Sequence, residues 1–153
     1  MPQVFMFNDE LSLLRYRLKL HASFAEASVV AESALTWSGL TKPLHANSSL
    51  TIAERRRHNV HVFVVPVKDE LRFPVNEAKA NRRRESFQRE ALNHYLYRNF
   101  KSRLIFFSDL DEFLDPESVR SLHVSSSLAK HSCCSPLMRS YYYGEHCPVH
   151  ETW

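Results

Sequence analysis

Glycine is nearly absent from this chain: 153 residues contain only Gly39 and Gly144. A G-x-G-x-x-G dinucleotide loop and a P-loop both depend on closely spaced glycines, so both are excluded by count. Cysteine is scarce too. Cys133, Cys134 and Cys147 make neither a disulfide framework nor a four-ligand zinc set. Cys147 and His150 have C-x-x-H spacing with His146 alongside, but the second paired half-site of a zinc module is missing. No apolar run approaches the roughly 20 residues of a membrane helix. The first residues pass from Gln3-Val4-Phe5-Met6-Phe7 straight into Asn8-Asp9-Glu10, which is no signal peptide. As written, the sequence predicts a soluble chain with no membrane segment and no targeting address. A strong excess of one charge is also missing. A net charge of +3 does not argue for nucleic acid, and arginine triplets such as Arg55-Arg56-Arg57 and Arg82-Arg83-Arg84 are usually solvated surface.

What is present is ordinary in bulk and unusual in one place. Hydrophobic residues make up 44% and charged residues 24%, as in soluble globular proteins. The length suits one domain, burying about 70% of its unfolded surface. The unusual place is residues 104–116, Leu-Ile-Phe-Phe-Ser-Asp-Leu-Asp-Glu-Phe-Leu-Asp-Pro. Four apolar residues end in Asp109, Asp111, Glu112 and Asp115. Such a run reads as a buried central strand of a parallel sheet, and open parallel sheets bind ligands beyond the carboxyl ends of their strands. On an extended backbone Asp109 and Asp111 emerge on one side. Paired carboxylates repel unless a cation neutralises them, and Mg²⁺ or Mn²⁺ suits such oxygens, usually together with substrate phosphates. The pattern points to a metal–diphosphate site.

The rest of the chain reads as α/β. Gln3 to Phe7 predicts a strand. Asn8 is the expected cap of a helix with Asp9 and Glu10 in its first turn and a Leu11, Leu14, Leu18 stripe. Ser28 to Glu32 predicts a second strand, parallel to the first. Residues 34–58 read mostly as loop, Val60 to Val67 as a third strand ended near Pro66, and Lys68 to Ala80 as irregular. A long helix is expected from about Arg82 to Asn99, capped by Asn81. A helix from Pro116 to about Leu122, with Asp115 as cap, and a strand within Cys133 to Tyr143 follow. At about 100° per residue, Phe87, Ala91, Leu92, Tyr95 and Leu96 form the buried side of the long helix. Arg84 and Gln88 project into the middle of that side and Glu85 lies at its flank. Buried polar groups need partners, so these side chains either reach a ligand or fasten helix to sheet, through an Arg84–Asp or a Glu85–Arg89 pair.

In this order, the segments resemble a known family. Phe7-Asn8-Asp9-Glu10-Leu11 with Leu13-Leu14 and Arg17-Leu18, Val30-Ala31-Glu32-Ser33, Thr36-Trp37-Ser38-Gly39 and Lys42-Pro43-Leu44 carry the first half. Arg84-Glu85-Ser86-Phe87-Gln88-Arg89 and Ser108-Asp109-Leu110-Asp111-Glu112 carry the second, and the likeness fades after Tyr141-Tyr142-Tyr143. The series is similar to the β-1,4-mannosyl-glycoprotein N-acetylglucosaminyltransferases, glycosyltransferase family 17, which add bisecting GlcNAc to N-glycans. The resemblance implies a GT-A-like (Rossmann-like), mostly parallel sheet flanked by helices. It implies one partial domain over residues 1–153, with the C-terminal part of the fold missing and with it, on this reading, the catalytic base. It also implies a UDP-GlcNAc donor, a glycan or glycoprotein acceptor, inversion at the anomeric carbon, and a Golgi location. Asp109 and Asp111 match the Asp-X-Asp motif that holds Mn²⁺ or Mg²⁺. Arg84, Gln88, Arg89 and Glu112 are expected toward the nucleotide or its phosphates, Glu32 and Thr36 toward the base or ribose.

Other readings of the acidic segment are a solvated loop capping a helix through Asp115, and the nucleophile strand of haloacid-dehalogenase-type phosphatases. The latter expects a small pair after the motif, where Glu112-Phe113 stands, and places its strand first. An EF-hand is excluded by its glycine and Glu spacing. A module that binds a nucleotide sugar without turnover is the remaining alternative.

Overall fold

A computed structural model of the chain describes residues 1–67, 78–101, 104–119, 140–141 and 148–149. Two units are distinguished, Met1–Val119 and Arg120–Trp153.

The first unit is built on four parallel strands, β1 (Gln3–Phe7), β2 (Ser28–Ser33), β3 (Val60–Val65) and β4 (Phe106–Ser108), in the order β3-β2-β1-β4. Helices α1 (Leu11–Leu20), α2 (His45–Ser49), α3 (Ile52–Arg57) and α4 (Ala78–Asn99) accompany them. Both central strands are buried throughout, because each face of the sheet is covered. Phe5, Phe7 and Val30 pack with Leu14 and Leu18 of α1. Val4, Met6, Val29 and Ala31 point the other way, onto Leu92 and Leu96 of α4. Alternation along β1 therefore serves two cores, and this is why its sequence shows no polar alternation. The architecture is α/β.

Several boundaries differ from expectation. β1 runs from Gln3 to Phe7 as read, while β2 gains Ser33 and β3 stops at Val65, before Pro66. α4 starts one turn early, at Ala78, which places Asn81 inside the helix rather than at its cap. Ala78, Lys79 and Ala80 are good helix formers and extend it. α1 is preceded by Glu10, without a side-chain cap and without an acidic residue in its first turn. Glu10 instead turns its Oε2 back to accept from Asn8 N and Asp9 N. More than half of the 34–58 segment is loop, as read, but two short helices interrupt it. These are α2 and α3, the latter opened by a Thr51–Glu54 capping box that follows the S/T-x-x-E rule. Among the described strands β4, expected to be central, lies at an edge, and it is half-buried where β1 and β2 are fully buried.

Residues 116–119 are helical, as far as that expected helix is described. In the second unit Ser140–Tyr141 and Pro148–Val149 pair antiparallel. Segment 68–77 and the cysteines lie outside the described residues, as does most of the Cys133 to Tyr143 expectation.

Candidate functional site

The strand order dictates where a ligand fits. The chain leaves β1 toward β2 on one side and returns as β4 on the other, so connections diverge beyond the carboxyl end of β1 and leave a crevice there. A cleft of ≈ 620 Å³ opens at this point. Phe7 and Asn8 line it behind β1, Leu35 to Ser38 behind β2, and Asp109 to Asp111 behind β4.

Asp109 and Asp111 are not on extended backbone. After Ser108 the chain turns, closed by a bond from Glu112 N to Asp109 O of 3.2 Å and by Glu112 Oε2 accepting from Asp109 N at 2.9 Å. Leu110 inserts into the core on the α1 side, and the turn brings both aspartates to one cleft wall. What fixes this turn is Arg17. Its side chain is fully buried. Nη1 donates to the carbonyls of Asp109 (2.6 Å), Leu110 (3.1 Å) and Glu112 (2.8 Å), and Nη2 to Ser108 Oγ at 2.5 Å. Nε donates to Gln3 Oε1, and the Phe5 ring lies 4.5 Å from the guanidinium. Burial pulls the Arg17 pKa down to about 10, against Glu112, Asp111 and Asp109, which draw it up. It therefore stays charged at neutral pH and supplies a positive field behind the carboxylates.

On the opposite wall the Thr36–Gly39 turn is held by α4. Thr36 N donates to Leu40 O and Gly39 N to Thr36 O. Arg84, buried, donates from Nη1 to Trp37 O at 3.0 Å and to Asn81 Oδ1. Gln88 accepts from the Trp37 indole N–H at 3.1 Å and donates to Leu35 O. Gly39 has φ +89°, and a Cβ there would stand 2.6 Å from the Arg84 guanidinium. Only glycine lets the turn lie flat on that group.

The expected site residues thus separate. Asp109, Asp111, Thr36 and Gln88 line the cleft. Arg84 and Glu112 stand behind it, holding main chain. Glu32 is buried among protein donors: Lys42 Nζ and His45 N reach Oε1, Ala46 N and Asn47 N reach Oε2. Its carboxylate anchors the first turn of α2, the usual favourable site for an anion. Arg89 bridges Glu85 Oε1 at 3.0 Å and Asp109 Oδ1 at 3.1 Å, with its guanidinium over Phe107. The Glu85–Arg89 pair is the fastening alternative considered for that helix face.

Among the described residues no group of three or more His, Cys, Asp or Glu side chains gathers around one point. Two aspartates on an open wall fit a cation that completes its shell with water and substrate phosphates, as Mg²⁺ commonly does, rather than one caged by protein.

Sequence reasoning missed Arg17, Trp37 and Lys42 as site residues. Lys42 lines the cleft and donates from Nζ to Asn8 O and Glu32 Oε1. Arg17 follows Leu14 by one turn on the apolar side of α1, and the argument that singled out Arg84 and Gln88 on α4 applies equally to it. Compared with protein-family models, curated proteins and solved structures, the chain matches none. No described helix is long and apolar enough to cross a membrane.

Proposed function

We propose that this chain binds UDP-GlcNAc through a divalent cation at Asp109 and Asp111 and transfers N-acetylglucosamine to a mannose of an N-glycan, in β-1,4 linkage with inversion. The observation that carries the reading is the position of the two aspartates, together on the cleft at the switch point of a parallel sheet. The resemblance to glycosyltransferase family 17 supplies the sugar, the linkage and the Golgi lumen as the place of action. A bound Mn²⁺ or Mg²⁺ would supply Lewis-acid stabilisation of the departing diphosphate. Arg17 and Glu112 keep the aspartate turn in shape, and Arg89 orients Asp109 through Oδ1. In the transfer itself an acceptor hydroxyl oxygen bonds to the anomeric carbon while the bond to the diphosphate oxygen breaks. The hydroxyl proton goes to a carboxylate base.

One observation favours a module that binds without turnover. Of the carboxylates lining the described cleft, two are committed to the cation. The third, Glu10, is engaged by the amides of Asn8 and Asp9. Isothermal calorimetry with UDP and Mn²⁺, followed by transfer assays on a mannose-containing acceptor, separates the readings. Manganese-dependent UDP binding with transfer is the expected result. Binding without transfer leaves the module. An aspartyl-phosphate trapped with beryllium fluoride would replace both with the phosphatase. Asp111→Asn is expected to weaken manganese-dependent UDP binding at least about 100-fold, a loss of about 2.7 kcal/mol. Unchanged affinity in that variant sinks the metal–diphosphate site.

A further inference from the structure

We propose that Trp37 is the stacking platform for the nucleobase of the bound nucleotide, an inference that rests on the nucleotide-sugar reading above. Trp37 remains 45% exposed and lines the cleft. Large aromatic rings left in solvent are unfavourable, yet this one is held firmly. Its indole N–H is bonded to Gln88, its carbonyl to Arg84, and the following turn rests on the Arg84 guanidinium through Gly39. With its only polar atom committed to protein, the indole has nothing left to offer a ligand except its ring faces. A rigid ring presented in a cleft suits stacking on another flat ring, which carries a low ordering cost.

The position favours the base over the sugar. Trp37 stands behind β2 and the aspartates behind β4, with β1 between them. Two inter-strand spacings separate these walls by roughly 10 Å, about the reach from diphosphate to base in an extended nucleotide. The diphosphate lies between base and sugar, so a base at Trp37 directs the sugar to the other side of the aspartates. Transfer also requires the sugar end to be approachable by an acceptor, and the Trp37 wall is backed by Arg84 and Gln88 of α4. Thr36 and Ser38, which share a 2.9 Å hydroxyl contact at the cleft wall, are placed to meet polar edges of the base or ribose.

The chain has two tryptophans, Trp37 and Trp153, so Trp153→Phe in the full chain leaves Trp37 as the sole indole reporter. Uridine monophosphate and UDP, with Mg²⁺, are expected to change its fluorescence saturably, whereas N-acetylglucosamine alone is not. Trp37→Ala should weaken calorimetric UDP binding by about tenfold or more, and Trp37→Phe, which keeps a ring, should hold affinity within about threefold. Circular dichroism of both variants reports whether they fold. Trp37→Ala that folds and binds UDP as tightly as the parent overturns the platform while leaving the aspartate site intact. A response to N-acetylglucosamine but not to uridine monophosphate overturns the base assignment. Absence of UDP binding by the parent chain removes the underlying reading and the platform with it.

Discussion

The two walls of the cleft are built by one device put to different uses. Behind β4, Arg17 of α1 donates to the carbonyls of a turn that displays carboxylates. Behind β2, Arg84 of α4 donates to a carbonyl of a turn that displays an indole. Each arginine is buried on a helix face that otherwise packs on the sheet. Guanidinium suits this role because its fork satisfies several carbonyls at once and it stays charged when buried. The walls differ in what they display: charge on one side, a flat apolar surface on the other. On the proposed reading, with a cation held by the carboxylates, a ligand recognised by both walls would carry an anionic group at one end and a planar one at the other.

The largest effect is expected at Arg17. Arg17→Met removes one donor each from Ser108 Oγ, Gln3 Oε1 and the carbonyls of Asp109, Leu110 and Glu112. A buried polar group left unsatisfied costs about 1–3 kcal/mol, so a lower urea midpoint is expected. At conditions where the variant remains folded, Mn²⁺-dependent UDP binding should weaken while the Trp37 fluorescence maximum stays put. Arg84→Met should do the reverse, shifting the Trp37 emission with little change in manganese affinity. Equal effects of both variants on both readouts would mean that the walls are not separable.

Local patterns told much of this in advance and pairing partners told the rest. β1 is legible because a short segment, apolar from Val4 to Phe7 and followed by Asn8-Asp9-Glu10, leaves little choice. The inward placement of Arg84 and Gln88 was legible from the 100° period, and both are buried. By contrast, the edge position of β4 depends on which strand it pairs with, and no window of sequence carries that. The reading of Glu32 as a ligand group came from its place at a strand end. Its real partners are amides 13 to 15 residues further on, in a five-residue helix with no propensity signal of its own. The Thr51–Glu54 capping box is a purely local signal, legible in the S/T-x-x-E spacing. The two aspartates do share one wall, but through a turn curled by Glu112 and Arg17, one local and one distant, and not along an extended strand.

A second asymmetry between the walls is titratable. Gln3 Oε1, which accepts from Arg17, also accepts from His21 Nδ1 at 2.7 Å. His21 is fully buried, and burial, reinforced by the Arg17 charge, pushes its pKa down to about 4 from 6.5. Between those values the unfolded chain takes up a proton that the folded chain refuses. Stability should therefore fall as pH drops from 6.5 toward 4, by up to about 3 kcal/mol from this group, and level off below. Urea midpoints for parent and His21→Leu at pH 7 and pH 4.5 check this. The variant should lose less on acidification than the parent, and an identical loss in both would assign the pH dependence elsewhere.

The smallest change tests most finely whether the two walls are independent. Gly39→Ala adds one methyl group at φ +89°, aimed at a guanidinium that cannot swing away without giving up Trp37 O and Asn81 Oδ1. Positive φ for alanine and the displaced arginine together predict a cost of about 1–2 kcal/mol, measurable as a lower urea midpoint. Because the disturbance stays on the β2 wall, the Trp37 turn should loosen while Asp109 and Asp111 keep their places under Arg17. Nucleotide affinity should then fall in Gly39→Ala with its dependence on manganese concentration unchanged. A shifted manganese dependence would show that the turn behind β2 and the turn behind β4 communicate through the sheet, and the two walls would have to be treated as one unit.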